Sequence, residues 1–223
     1  MEEPSLTEEE WVSAYATAWQ SSLESVQEGD RAIGLLNELI STQDLSTEEI
    51  TAISISLRIA GGAPMAHFLG MSLYLLLQQE DLRDQFLVSG PSMRAVDELL
   101  RYVPTNNLGV VRIATAPTEI VGSELPAGAI VFSSLPTANR DPHAIEDPEL
   151  ITFGDHSTSH LAFGYGPHRC VGQNLARTTA RIAIARLFKR LPEIKLAVPA
   201  EDVPMISSPT THGVSALPVS RTT

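Results

Sequence analysis

The chain has 223 residues, 43% of them hydrophobic, which is enough apolar mass for one ordinary domain with a real core and too much for a disordered chain. Its 15 basic and 27 acidic residues leave a net charge of −12, a field that repels nucleic acid. Cys170 is the single cysteine, so an internal disulfide scaffold is excluded.

Taken in chain order, the elements begin with helices. The acidic start Met1-Glu2-Glu3-Pro4 lacks the basic character of a secretory leader. Thr7 with Glu10 fits a capping box, and Asp30 can cap a second helix through Leu36 and Ile40. Ser46 with Glu49 is another capping box, opening an apolar run that can reach Gln79, about 50 Å at the helical rise. Pro64 lies inside this run, so a kink or local opening is expected between Ala60 and Pro64. Ile59–Leu77 carries no charge over 19 residues, but its glycines, proline and histidine suit a buried core helix better than a membrane span. The expected setting is cytoplasmic, with no membrane and no nucleic acid. Helices follow over Asp81–Val88 and from Gly90-Pro91 to Tyr102-Val103. Val110, Val111 and Ile113 read as a strand, and Glu119–Val121 and Ala129–Phe132 as the two arms of a hairpin. Asn139–Thr158 is irregular, a helix runs from about Cys170 to Arg190, and strands are expected at Ile194–Ala197 and Gly213–Pro218. The whole reads as one mainly α domain with a small β-sheet, spanning 1–223.

The densest chemical signal is Phe163-Gly164-Tyr165-Gly166-Pro167-His168-Arg169-Cys170-Val171-Gly172. Its glycines permit tight turns and close backbone approach to a flat ligand. A cysteine at a helix start faces free N–H groups and a dipole that favour thiolate, and amide donors near a sulfur tune a thiolate-bound metal.

This segment resembles the heme-binding loop of the cytochrome P-450 family, Phe-Gly-x-Gly-x-His/Arg-x-Cys-x-Gly. Glu98-Leu99-Leu100-Arg101 matches the family's Glu-x-x-Arg, whose spacing places both side chains on one helix face. Ala60-Gly61-Gly62, Arg112, Asn139-Arg140-Asp141-Pro142 and His160-Leu161-Ala162-Phe163 agree in order. The resemblance implies the C-terminal half of that fold and the cofactor heme b (iron protoporphyrin IX). Cys170 would be the iron ligand. His168 and Arg112 would meet the propionates, Phe163 would pack beside the sulfur, and Gly61 and Gly62 would let the long helix lie over the distal face. Ala63, Met65, Asn106 and Asn107 are pocket candidates, within linings at Thr105–Val110 and Ser207–Thr211.

Three departures from the family pattern bear on function. The N-terminal half of the fold has no counterpart, which fits a natural short protein beginning at Met1 or a fragment. The apolar faces this leaves, such as Phe68, Met71, Leu75 and Leu76, point to a homodimer. The acid and threonine that relay protons during the family's oxygen chemistry are replaced by Ala63 and Pro64, with His67 one turn on read as a packing residue. The third member of the family's Glu-Arg-Arg network is missing between Phe153 and His160, where His156 is the one substitute. The favoured reading is a heme-thiolate protein that cyclises, dehydrates or isomerises a small natural-product intermediate without redox chemistry. The alternatives are a monooxygenase with another proton path, reduced by a ferredoxin docked near Arg169, Arg177 and Arg181, and a non-catalytic heme-binding remnant.

Overall fold

The computed structural model describes residues 35–42, 44–106, 109–154, 159–206, 208 and 211–221. The capping residues expected at Thr7–Glu10 and Asp30 lie outside them, as do Asn107 and His156. The chain divides into two compact units, Met1–Gly62 and Ala63–Thr223.

In the first unit, helix α1 (Leu35–Ser41) precedes the start of α2 (Thr47–Gln78). The capping box before α2 forms in both directions. Glu49 N–H donates to Ser46 Oγ at 3.2 Å, and Ser46 N–H donates to the Glu49 carboxylate at 2.8 Å. The donation from Ser46 holds the Glu49 carboxyl below its ordinary range. Helix α2 continues through Pro64 for 32 residues, so the local opening expected from the sequence does not occur. Proline deletes a single backbone donor, and the glycines just upstream can yield without ending the run. Among the described residues α2 is the one helix long and apolar enough to cross a membrane by length and composition.

In the second unit the C-terminal end of α2 enters the core. Phe68, Met71, Leu75, Leu76 and Leu77 are buried against Leu82 and Phe86 of α3 (Glu80–Val88), Ala95, Val96 and Leu99 of α4 (Met93–Tyr102), and Ala180, Ile184 and Phe188 of α6 (Gln173–Arg190). This corrects the expectation that Phe68, Met71, Leu75 and Leu76 form an uncovered face, because the chain's own later helices supply the cover. Ser92 caps α4, its side chain accepting from Ala95 N–H at 3.1 Å. The loop around Gly213 crosses close over α2. A Cβ on Gly70 would lie 2.7 Å from a Val214 methyl, and one on Gly213 would lie 3.1 Å from the His67 ring. His67 is half-buried and packs against this loop.

Among the described residues the strands form three two-stranded antiparallel ladders. β1 (Val110–Ile113) pairs with β4 (Ile130–Ser133), Arg112 opposite Val131. Between them, β2 (Thr118–Ile120) pairs with β3 (Ser123–Leu125). The sequence-predicted hairpin thus has its arms reassigned: Glu119 faces Glu124, and Phe132 faces Val111. The turn that decides this is Val121-Gly122, with φ of 50° and 76°. Positive φ at both central residues suits a two-residue hairpin but not a β-branched side chain, so Val121 hides the turn from sequence reading. Short helix α5 (Leu135–Ala138) follows β4. β5 (Ile194–Leu196) pairs with β6 (Val219–Arg221), which lies beyond the expected Gly213–Pro218. Pro218 cannot donate to a ladder, and its carbonyl instead takes Ala197 N–H at 3.0 Å.

Candidate functional site

Cys170 sits at the end of a turn-rich loop, not inside a helix. Helix α6 begins at Gln173 with Gly172 as its N-cap, three residues later than the sequence suggested, and Cys170 N–H donates to the carbonyl of Phe163 at 2.9 Å. That bond closes the loop on itself. Gly164 and Gly166 make it possible at φ of 70° and 80°, and Gly164 N–H returns to Leu161 O at 2.8 Å. A 3₁₀ turn over Gly166–His168 then delivers Cys170 to the surface, where its side chain is exposed one turn ahead of α6.

His168 is exposed on the same loop, and Arg112 is exposed on β1. Phe163 is half-buried, with the Arg177 guanidinium 4.7 Å from its ring centre and the His160 ring 5.8 Å away. Gly61 and Gly62 belong to the first unit, and a Cβ on either would meet nothing within 4 Å. Ala63 is exposed and Met65 half-buried at the start of the second unit. Asn106 spends its amide oxygen on the turn before β1, accepting Gly109 N–H at 2.9 Å. Asn107 lies outside the described residues. Among the described residues no cluster of three or more His, Cys, Asp or Glu forms a metal site.

The donor set fits heme. A surface thiol on a loop with open glycines can ligate iron without displacing packed atoms, because a Cβ on Gly164 or Gly166 would meet nothing within 4 Å. His168 and Arg112 are cationic or hydrogen-bonding groups suited to carboxylates.

Behind the loop stands a buried brace. Arg101 on α4 is 1% exposed, and every one of its N–H groups is used. Two go to Glu98, from Nε at 2.9 Å and from a terminal nitrogen at 2.8 Å. The other three reach the carbonyls of Asn139 (3.2 Å), Pro148 (2.7 Å) and Leu150 (2.8 Å). Glu98 also accepts Thr152 N–H at 3.3 Å, and Asn139 Oδ1 accepts Leu161 N–H at 2.6 Å. The Glu-x-x-Arg pair thereby holds the irregular segment between Asn139 and Thr152, and Asn139 in turn holds the backbone at Leu161.

A second group was not singled out from sequence. Asp97, next to Glu98, accepts from His160 Nε2 at 3.1 Å and Arg177 Nε at 2.5 Å. Burial alone would raise its carboxyl, but the two hydrogen bonds and the charge of Arg177 outweigh it and hold Asp97 below the ordinary carboxylate range. The tandem acid Asp97-Glu98 is the one sequence signal for it. Arg177, expected as a docking cation, has a side chain only 12% exposed and committed to Asp97, whereas Arg169 and Arg181 are exposed.

A helix-rich fold with a thiol loop braced by a buried Glu–Arg pair defines the heme-thiolate class. The cytochrome P450 family profile matches residues 93–219, and this chain belongs to that family. It is 37% identical over 188 residues to Cytochrome P450 105C1 of a Streptomyces species, covering 83% of this chain and 49% of that protein. It is 36% identical over 206 residues to Nocardicin C N-oxygenase of Nocardia uniformis, covering 89% of this chain and 52% of that one. Among solved structures it resembles the LnmA cytochrome P450 hydroxylase of the leinamycin pathway of Streptomyces atroolivaceus, at 37% identity and a TM-score of 0.83 over 99% of this chain and 59% of that one. The chain spans about half the length of the curated relatives it matches. Members of the family use heme b as cofactor.

Proposed function

We propose that the chain holds heme b through Cys170 and acts on a small natural-product intermediate by a non-redox cyclisation, dehydration or isomerisation. One observation carries the choice of reaction. The turn of α2 that bears a proton relay in the family reads Ala63-Pro64-Met65, and none of these side chains carries an exchangeable proton. Bound heme would supply a flat apolar wall and a Lewis-acidic iron. His168 and Arg112 would pair with its carboxylates, and Phe163 would pack beside Cys170. Met65 and Ala63 would offer the substrate apolar surface and hold no water in a relay. Holding a reactive chain in near-attack geometry can remove up to roughly 7–11 kcal/mol from a barrier.

A second reading has its own support. Relatives named as oxygenases, such as Nocardicin C N-oxygenase, favour a monooxygenase fed by a ferredoxin, for which Arg169 and Arg181 are exposed cations near the cysteine loop. For assembly we propose a cytoplasmic homodimer, resting now on the sheet face where Val111, Ile113, Ile130 and Phe132 are 48%, 64%, 62% and 52% exposed. Light scattering that finds a monomer at micromolar concentration rejects it.

Two measurements test the function. The heme-loaded protein should give the red-shifted ferrous carbonyl band of a thiolate ligand, lost in Cys170→Ala. Product from a biosynthetic intermediate should form anaerobically without reductant. Product that requires oxygen and electrons and carries labelled oxygen replaces this reading with the monooxygenase.

A further inference from the structure

We propose that Asp97 is a positioning residue: with His160 and Arg177 it clamps Phe163 and sets both the order and the electrostatic balance of the Cys170 loop. The proposal rests on the reading of Cys170 as the heme ligand only for its electrostatic part.

The clamp is built from groups far apart in sequence. Asp97 on α4 uses one oxygen, Oδ1, for two donors, His160 Nε2 and Arg177 Nε. His160 Nδ1 accepts Ala162 N–H at 3.1 Å, so the ring proton resides on Nε2 and points at Asp97. The His160 side chain is 3% exposed, so this orientation is enclosed. Arg177 is fixed at its other end by Gln173, accepting at 3.0 Å, and its guanidinium lies over the Phe163 ring. Phe163 in turn accepts Cys170 N–H through its carbonyl. A single carboxylate thus governs the two side chains that flank Phe163, and Phe163 governs the backbone of Cys170.

Charge follows the same geometry. Asp97 and Arg177 are an internally balanced pair behind the loop. Removing the acid alone leaves a cation there, and removing the cation alone leaves an anion. An iron held by Cys170 would feel the two changes with opposite sign, whereas simple loosening of the loop would move both variants in the same direction.

The experiment uses the full chain in two forms. Without heme, amide exchange at Cys170 is followed in wild type, Asp97→Asn and Asp97→Glu. Asp97→Asn should accelerate exchange about tenfold, the loss expected for a hydrogen bond to a charged group, and Asp97→Glu should restore most protection. With heme b loaded, the ferric/ferrous midpoint potential should shift upward in Asp97→Asn and downward in Arg177→Gln. Unchanged Cys170 exchange in Asp97→Asn overturns the clamp. Potentials that move in the same direction overturn the electrostatic role. Faster Cys170 exchange in Asp97→Asn, together with a wild-type chain that gives no thiolate carbonyl band, would leave the clamp standing and sink the heme reading instead.

Discussion

Replacing Arg101 by lysine tests the brace behind the loop most directly, because it keeps the charge and removes the fork. Arginine satisfies five acceptor contacts at once: two on Glu98 and three carbonyls between Asn139 and Leu150. An ammonium has three donors at a single point, so at least two of those contacts are lost. The site is closed to water, with side-chain exposures of 1% for Arg101 and 4% for Glu98. Each buried acceptor left without a partner costs about 1–3 kcal/mol, which gives a loss of about 2–6 kcal/mol. At urea slopes of roughly 1–3 kcal/mol per molar, the unfolding midpoint should fall by about 0.7 M or more. Urea titration followed by far-ultraviolet circular dichroism measures it, and amide exchange over 139–150 should rise in the same variant. A midpoint within about 0.2 M of wild type would refute the reasoning, since it would mean the carbonyls keep partners without the guanidinium.

Three further outcomes follow from local geometry. Gly109→Ala should destabilise by at least about 2 kcal/mol in the same titration, because φ is +70° and the new Cβ would lie 1.7 Å from the Ser133 carbonyl oxygen. Ser72→Ala should stabilise by about 1 kcal/mol on thermal melting, since the Ser72 hydroxyl is fully buried with no hydrogen-bond partner among the described residues. The folded-state value of Asp97 is lowered, so its stabilising contribution is complete above the ordinary carboxylate range and is lost as pH falls through the folded value. The stability gap between wild type and Asp97→Asn should therefore be constant near neutrality and shrink below about pH 4, as measured by denaturant titration across pH.

What could be read from sequence was what is encoded locally. The Ser46–Glu49 box, the helix start after Gly90-Pro91 and the glycine-bearing loop each span a few residues, and each forms within two or three residues of its expected place. The pairing of Glu98 with Arg101 was legible from an i, i+3 spacing. Its three carbonyl partners were not, because they lie 38 to 49 residues away and are chosen by main-chain position. Asp97 was missed for the same reason: its partners are 63 and 80 residues distant. The hairpin was misassigned because strand propensity at Val121 outweighed the turn signal of Gly122. The start of α6 was placed early because its N-cap is Gly172, two residues beyond Cys170, and a glycine carries no side-chain cap to signal it.

The way Arg101 grips its loop has an evolutionary corollary. It recognises carbonyl oxygens, which every residue type possesses, and no side chain at Pro148 or Leu150 takes part in the recognition. Substitutions along His143–Leu150 are therefore nearly invisible to Arg101, provided the backbone can trace the same path. Insertions and deletions are not, because shifting the chain by one residue carries all later oxygens out of reach together. The segment should drift freely in spelling among descendants of this chain while keeping its length, a pattern usually taken as a sign of an unimportant loop and here produced by one of the most constrained.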